Sequence, residues 1–134
     1  MIDKSALGRV GLPSVADVLH DRMSRGLVGI SIATELEVGF SAQSVDGYHQ
    51  MRTRLIQALV PVALPARAED RAREVQSALV ERAQHRAVSV PDLLIASTAE
   101  IEGLTVLHYD ADFDLIAAIT GQSMEWVVPR GSIA

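Results

Sequence analysis

Acidic residues stand where apolar segments of this chain end or where amphipathic segments begin. The five that do so are Asp3, Glu35, Asp92, Asp110 and Asp112. Parallel strands bring their carboxyl ends to one edge of a sheet, so side chains far apart in sequence can meet there. Carboxylates that meet repel one another, and a divalent cation relieves that repulsion. The pattern predicts a metal site and, as the first hypothesis, a metal-dependent reaction on phosphate.

Each of these acids, taken alone, has an ordinary structural explanation. Asp92 and Glu35 would stand in the first turn of a helix, where a negative charge favours the positive end of the helix dipole. Asp110 and Asp112 are suited to a turn and a helix N-cap. Ordinary caps at four separate element ends would include more serine, threonine and asparagine, however. We therefore favour the metal site.

The elements that would position these acids alternate between strand-like and helix-like segments, which is typical of an α/β fold. Strands are predicted at 1–2, 27–32, 60–64, 104–109 and 124–128, and helices at 5–9, 15–25, 34–42, 45–59, 66–86, 91–102 and 111–120. Pro61 marks its strand as peripheral, and Ser14 is placed to cap the second helix. No Gly/Ser-rich linker divides the sequence, so residues 1–134 are predicted to form a single domain.

Composition narrows the class of protein. A chain of 134 residues that is 49% hydrophobic and lacks cysteine can bury a core without disulfides. The formal charge of −5 argues against broad electrostatic attachment to nucleic acid, although arginines could still form a local patch. Charged residues interrupt the N-terminal segment, and no apolar run approaches the ~20 residues of a membrane helix. We expect a cytoplasmic protein that does not enter membranes.

Four segments, taken in order, resemble the motifs of the PIN-domain ribonucleases, and most closely those of the VapC toxins of bacterial toxin–antitoxin pairs. They are IDKSAL at 2–7, TELEVG at 34–39, PDLLIASTA at 91–99 and LHYDADF at 107–113. The likeness spans essentially the whole chain. It implies a three-layer α/β/α fold with a small parallel central sheet flanked by helices, a pocket for Mg²⁺ or Mn²⁺, and endonucleolytic cleavage of RNA (tRNA, rRNA or mRNA). It also implies a VapB-like antitoxin and a homodimer or a larger toxin–antitoxin assembly.

The resemblance also assigns the acids. Asp3, Asp92 and Asp110 fall on the family's metal-binding and catalytic aspartates. Glu35 precedes Gly39 by four residues, as the family's glutamate does, and is our choice for the second acid. Glu37 competes with it, because two residues of helix rotate a side chain by about 200° and only one of the two can face the pocket.

Two further positions carry open roles. Asp112 matches a position that is often acidic, where it would either bind metal or cap the next helix. Lys4 replaces the threonine that is common in the family. If that threonine assists a water molecule, Ser5 must supply the supporting hydroxyl alone.

Oxygen ligands suit Mg²⁺ or Mn²⁺, which would lower the pKa of a water molecule that attacks phosphorus in line. Glu35 would orient this water or complete the ligand shell. The resemblance accordingly implies products with 5′-phosphate and 3′-hydroxyl ends. DNA stays open as a substrate. The alternative function is a catalytically silent PIN-fold protein that sequesters an antitoxin or nucleic acid.

Other residues are assigned structural roles. For His108 we expect packing or hydrogen bonding on a strand, and for Gln122 and Trp126 packing. The arginines of the predicted helix at 66–86 are interpreted as a solvated face with local ion pairs. An antitoxin groove could include apolar positions drawn from Leu7, Val10, Val18, Leu19, Phe40 and Leu55.

Overall fold

The computed structural model describes residues 1–134, apart from the side chain of Ile56. Its elements are α1 (Lys4–Leu7), α2 (Pro13–Ser24), β1 (Gly29–Ser31), α3 (Ile32–Phe40), α4 (Val45–Ala58), β2 (Val60–Val62), α5 (Ala66–Glu81), α6 (Val90–Glu102), β3 (Val106–His108), α7 (Asp112–Thr120) and β4 (Met124–Trp126). This order confirms the alternation that the sequence predicts.

The N-terminal segment joins two pairs of parallel strands. β1 pairs with β2, and β3 pairs with β4. Between these pairs, Ile2 forms a parallel bridge with Leu107 and donates its backbone N–H to the carbonyl of Gly29 at 2.8 Å. The strands therefore lie in the order β2, β1, residues 1–3, β3, β4, and all of them run in the same direction. Their carboxyl ends share one edge.

Two apolar clusters cover the two faces of this sheet. One contains Leu79, Ile95, Val106 and Phe113, from α5, α6, β3 and α7. The other contains Ile2 and residues of α1 and α2. Because successive strand residues point to opposite faces, Val106 and Leu107 of β3 belong to different clusters. The fold is the predicted three-layer α/β/α arrangement with a small parallel sheet.

Several boundaries differ from the sequence-based prediction. Ser14 is not the N-cap of α2, because Leu12 holds that position and Pro13 begins the helix with its fixed φ. The helix predicted at 66–86 ends at Glu81, and the left-handed backbone of Ala83 (φ 57°) follows it closely. The peripheral position of β2 is confirmed, since it pairs with β1 alone among the described strands and Val60 is exposed.

Among the described residues, no helix is both long enough and apolar enough to cross a membrane.

Candidate active site

Asp3 is held at the carboxyl edge of the sheet by the helix it caps. It follows the Ile2 bridge directly, and its Oδ2 accepts a hydrogen bond from the backbone N–H of Ser5 at 2.8 Å. The residue is only 3% exposed. Its second oxygen, Oδ1, is buried and has no hydrogen-bond partner among the described residues. A buried carboxylate oxygen without a partner is costly, which makes it a candidate ligand atom.

Asp92 stands in the first turn of α6, close to Asp3. Ser89 caps this helix through a hydrogen bond from the Asp92 backbone N–H, and Asp92 is 7% exposed. Burial, followed by the charge of Asp3 and smaller contributions from Asp110 and Glu37, raises the pKa of Asp92 to about 7, although the hydrogen bond with Ser89 opposes the shift. Such a shift indicates several like charges around one buried carboxyl group.

Asp110 and Asp112 complete the edge after β3. The Oδ1 atom of Asp110 accepts a hydrogen bond from the backbone N–H of Asp112 at 2.9 Å, which fixes the turn into α7. One carboxylate oxygen from each of Asp92, Asp110 and Asp112 lies within 4.8 Å of the other two. Burial and the charge of Asp110 raise the pKa of Asp112. Asp112 thus lies among the other acids, and Ala111 is the N-cap residue of α7.

The structure separates the two glutamates of α3. Glu37 forms an ion pair with Lys4 at 3.5 Å, and its charge acts on Asp92. Glu35 is turned toward α4, where its carboxylate lies 3.7 Å from the guanidinium of Arg52. The sequence left the choice between these two glutamates open, and the contacts lead us to propose Glu37 as the second acid in place of Glu35. The physical reason is the register of the helix, in which Thr34 is fully buried and Glu37, three residues on, shares its face.

We call Asp3, Glu37, Asp92, Asp110 and Asp112 the acid cluster. Every possible metal ligand in it is a carboxylate oxygen, one of these oxygens is buried without a partner among the described residues, and the pKa values of Asp92 and Asp112 are raised by burial and by acidic neighbours. A hard divalent cation prefers such oxygen ligands and would relieve both penalties. The residues present therefore fit a Mg²⁺ or Mn²⁺ ion.

Ser5 connects α1 to the end of β3. Its hydroxyl oxygen accepts a hydrogen bond from the backbone N–H of Tyr109 at 2.9 Å, while its own N–H binds Asp3. The hydroxyl thus joins the two backbone segments that carry Asp3 and Asp110. Sequence reasoning expected a supporting role for Ser5, and these contacts give it a positioning one.

His108 and the residues beside it pack as expected. The ring of His108 is fully buried and lies 5.0 Å from Phe113 and 4.9 Å from Trp126, centroid to centroid. Its Nδ1 accepts a hydrogen bond from the backbone N–H of Asp110. Gln122 donates from Nε2 to the carbonyl of Ala96 at 2.8 Å, which ties the end of α7 to α6.

Two arginines of α5, Arg71 and Arg73, form ion pairs. Arg71 binds Glu100 of α6 at 2.7 Å and Glu74 at 2.9 Å, and Arg73 binds Asp70 at 2.8 Å. Arg73 fits the predicted solvated face with local ion pairs, whereas Arg71 joins α5 to α6 through a partly buried pair. An exposed pair such as that of Arg73 contributes about 0–1 kcal/mol to stability.

Of the apolar positions considered for a partner groove, Leu7 and Leu19 are buried, whereas Phe40 is 93% exposed. Phe40 belongs to a groove of about 360 Å³ between α3 and α6. The residues that line this groove are Lys4, Ala33, Leu36, Glu37, Phe40, Val90, Pro91 and Leu94. The groove thus shares Glu37 with the acid cluster and offers apolar surface beside it.

Comparison with known proteins agrees with this geometry. The family model of the PIN domain matches residues 1–119. Ribonuclease VapC2 of Mycobacterium tuberculosis is 49% identical over 131 residues, covering 97% of this chain and 93% of that protein. Ribonuclease VapC21 of the same species is 45% identical over 132 residues, covering 98% and 96%.

Solved structures of low sequence identity share the fold. A VapBC2 structure from Rickettsia felis, bound to a promoter DNA fragment, gives a TM-score of 0.79 at 17% identity and covers 94% of this chain and 97% of that one. DNA-bound VapBC from Salmonella typhimurium gives 0.78 at 18%, covering 96% and 97%. With the family model and the two mycobacterial relatives, this establishes that the chain belongs to the PIN-domain family and, within it, to the VapC ribonucleases.

Proposed function

We propose that this chain is an endoribonuclease toxin that hydrolyses phosphodiester bonds of RNA, requires Mg²⁺ or Mn²⁺, and is neutralised by a cognate antitoxin. Its relatives are named ribonucleases, which supports the reaction class. Residues 1–134 would act as one PIN domain. Since its substrate would be cellular RNA, we place its action in the cytoplasm.

The observation that carries the metal requirement is the buried carboxylate pair of Asp3 and Asp92. One oxygen of Asp3 lacks a partner, and the pKa of Asp92 is raised to about 7 by burial and by its acidic neighbours. A protein gains nothing from such repulsion if it only binds a partner, since replacing one acid by a neutral residue would remove the cost. This favours catalysis over the silent alternative.

The residues that would hold the cation are Asp3, Asp92, Asp110 and Asp112. When bound, the cation would polarise the scissile phosphate and lower the pKa of the attacking water. The backbone N–H of Ser5 fixes Asp3, and that of Asp112 fixes Asp110, so both carboxylates are oriented before substrate arrives. Glu37 would orient the attacking water and accept a proton from it.

Cleavage of a labelled oligoribonucleotide tests this function directly. We expect Mg²⁺ or Mn²⁺ to support cleavage, EDTA to abolish it, and the ends to be 5′-phosphate and 3′-hydroxyl. Cleavage that persists undiminished in EDTA would refute the metal requirement. A wild-type protein that binds Mn²⁺ but cuts no RNA would favour the silent binding protein.

The antitoxin is proposed on separate grounds. The Rickettsia and Salmonella structures are VapBC complexes, which supports an antitoxin partner for this chain. In this chain, Leu36, Phe40 and Val90 expose apolar surface beside the acid cluster. Exposed apolar patches of this kind are sites of protein association. An apolar helix of the antitoxin would cover this groove, and a homodimer remains a further prediction.

A further inference from the structure

Lys4 is the only lysine of the sequence, and it follows the buried Asp3 directly. Its ammonium group lies 3.5 Å from a carboxylate oxygen of Glu37, and its side chain is 49% exposed. In the part of the chain that the structure describes, this is the one ion pair that includes a member of the acid cluster. The lysine is therefore the cation nearest to the candidate reaction centre by direct contact.

Lys4 also stands between two grooves. One is the groove with Phe40 and Glu37, and the other, of about 600 Å³, is lined by Ser5, Leu7, Gly8, Arg9, Val38, Ser41 and Ala134. A side chain at this boundary can reach a strand of nucleic acid that approaches the acid cluster from either groove. An RNA strand meets a net negative surface here, so a local positive charge is needed to hold its phosphates.

We infer that Lys4 exchanges partners during the reaction: it neutralises Glu37 in the free protein and contacts an RNA phosphate next to the scissile bond once a divalent cation occupies the cluster. This inference rests on the proposed ribonuclease function and assigns to it a substrate-binding residue. Lysine is suited to such an exchange, because its ammonium group is a compact charge on a flexible stem.

The exchange has a low energetic cost. An ion pair between two partly exposed side chains is weak, so the pair with Glu37 is easily broken. When Lys4 leaves Glu37, a divalent cation in the cluster would replace the ammonium group as the positive charge near this carboxylate. A hydrogen bond from the freed ammonium group to a phosphate oxygen is charge-assisted and stronger than a neutral one.

Removing the charge of Lys4 should therefore strengthen the binding of Mn²⁺ and weaken the binding of RNA. In Lys4→Gln, Glu37 has no counter-ion and the local repulsion of Mn²⁺ falls, so Mn²⁺ should bind roughly 3-fold more tightly. The KM for a labelled oligoribonucleotide should rise roughly 10-fold or more, because the phosphate contact is lost. Lys4→Arg keeps the charge and should remain close to wild type in both measurements.

Arg25→Gln is the matched control. Arg25 is an exposed cation in an ion pair with Asp21, and it lies before β1, at the opposite edge of the sheet from the acid cluster. The Arg25→Gln substitution removes one positive charge, as Lys4→Gln does, so it measures the general electrostatic effect on RNA binding. We expect it to leave the Mn²⁺ affinity and the KM near those of wild type.

Titration of each variant with Mn²⁺ alone, followed by steady-state cleavage, decides the question. Tighter Mn²⁺ binding together with a raised KM in Lys4→Gln, and not in Arg25→Gln, supports the inference. Unchanged or weaker Mn²⁺ binding, or an unchanged KM, overturns it, and a parallel loss of both would indicate a merely structural role. A failure of the proposed function looks different, since the wild type itself would then bind no Mn²⁺ and cleave no RNA, and both proposals would fall.

Discussion

The backbone N–H of Asp110 donates a hydrogen bond to Nδ1 of His108, 3.2 Å away. Because Nδ1 accepts this bond, a neutral His108 carries its proton on Nε2, and that atom is buried without a partner among the described residues. Phe113 and Trp126 pack against the ring. The imidazole thus supports the backbone on which the Asp110 carboxylate is mounted.

Acid should weaken the fold through His108. Burial lowers the pKa of His108 below its ordinary value of 6.5, although the nearby charge of Asp114 opposes the shift. The folded state then binds fewer protons than the unfolded state just below pH 6.5, so stability is lost as the pH falls through this range. We expect His108→Asn, which keeps an acceptor, to reduce the loss of unfolding free energy between pH 7 and pH 5.

The measurement is urea unfolding in EDTA, and it is best made in an Asp92→Asn background. Asp92 titrates over the same range with the opposite sign, so it would mask the histidine. An equal acid-induced loss with and without His108 would show that the histidine is not responsible.

The two glutamates of α3 offer a matched pair of variants. Glu37→Gln should lower the cleavage rate roughly 100-fold, because a group that orients or deprotonates the attacking water is lost. Glu35→Gln removes the same charge two residues away but faces Arg52, so we expect less than a 3-fold effect. Rates at saturating Mn²⁺ measure this difference, and the reverse order of the two variants would restore Glu35 to the active site.

The choice between Glu35 and Glu37 could not be made from the sequence. The spacing to Gly39 favoured Glu35, but which residue of a helix faces the pocket depends on how that helix packs against its neighbours. α3 begins at Ile32, two residues before the predicted start, with Ser31 as its cap. Thr34 is then buried and donates its hydroxyl to the carbonyl of Ile2, and this anchor turns Glu37 toward the acids. The burial of Thr34 is the feature that would have indicated which face of α3 packs against the sheet.

The aspartates were easier to predict because each follows from chain direction. Asp3 comes after a parallel strand, and Asp92 follows a proline in the first turn of a helix, so both must lie at the carboxyl edge. The ion pair between Lys4 and Glu37 could not be predicted, since it depends on the packing of α1 against α3. Long-range contacts of this kind carry no local pattern in the sequence.

Phe40 should contribute to the binding of a partner protein and little to the free energy of unfolding. Its side chain is 93% exposed, so Phe40→Ser should change the unfolding free energy by less than about 0.5 kcal/mol. If an antitoxin helix covers this groove, the same variant should weaken the complex roughly 10-fold or more. Val80→Ser, at an exposed valine of α5, is the control.

Growth assays and titration with the purified antitoxin separate the outcomes. Wild type expressed alone should arrest growth, and the antitoxin should rescue it. Phe40→Ser should still arrest growth but resist rescue. Equal affinity of Phe40→Ser and wild type for the antitoxin would move the partner surface elsewhere, whereas a change in self-association alone would assign the groove to a homodimer.

Asp92→Asn should show separately how the acid cluster affects the free energy of unfolding and how it serves metal binding and cleavage. The pKa of Asp92 is raised to about 7 in the folded protein from an ordinary value of 3.8, so the folded state binds more protons than the unfolded state between these values. Stability in EDTA therefore falls as the pH rises through this window. Above pH 7 the neutral asparagine escapes this penalty, and we expect the variant to be more stable than wild type by roughly 1–3 kcal/mol.

With Mn²⁺ present the order should reverse. A ligand that binds only the folded state raises its stability, so Mn²⁺ should raise the Tm of wild type, and more at pH 8 than at pH 5.5, where protons compete for Asp92. Asp92→Asn should lose most of this rise, its dependence on pH, and ribonuclease activity together. Thermal unfolding with and without Mn²⁺ at the two pH values makes the measurement. Undiminished Mn²⁺ stabilisation in a folded, inactive Asp92→Asn protein would remove Asp92 from the metal site, while full activity would remove it from the reaction.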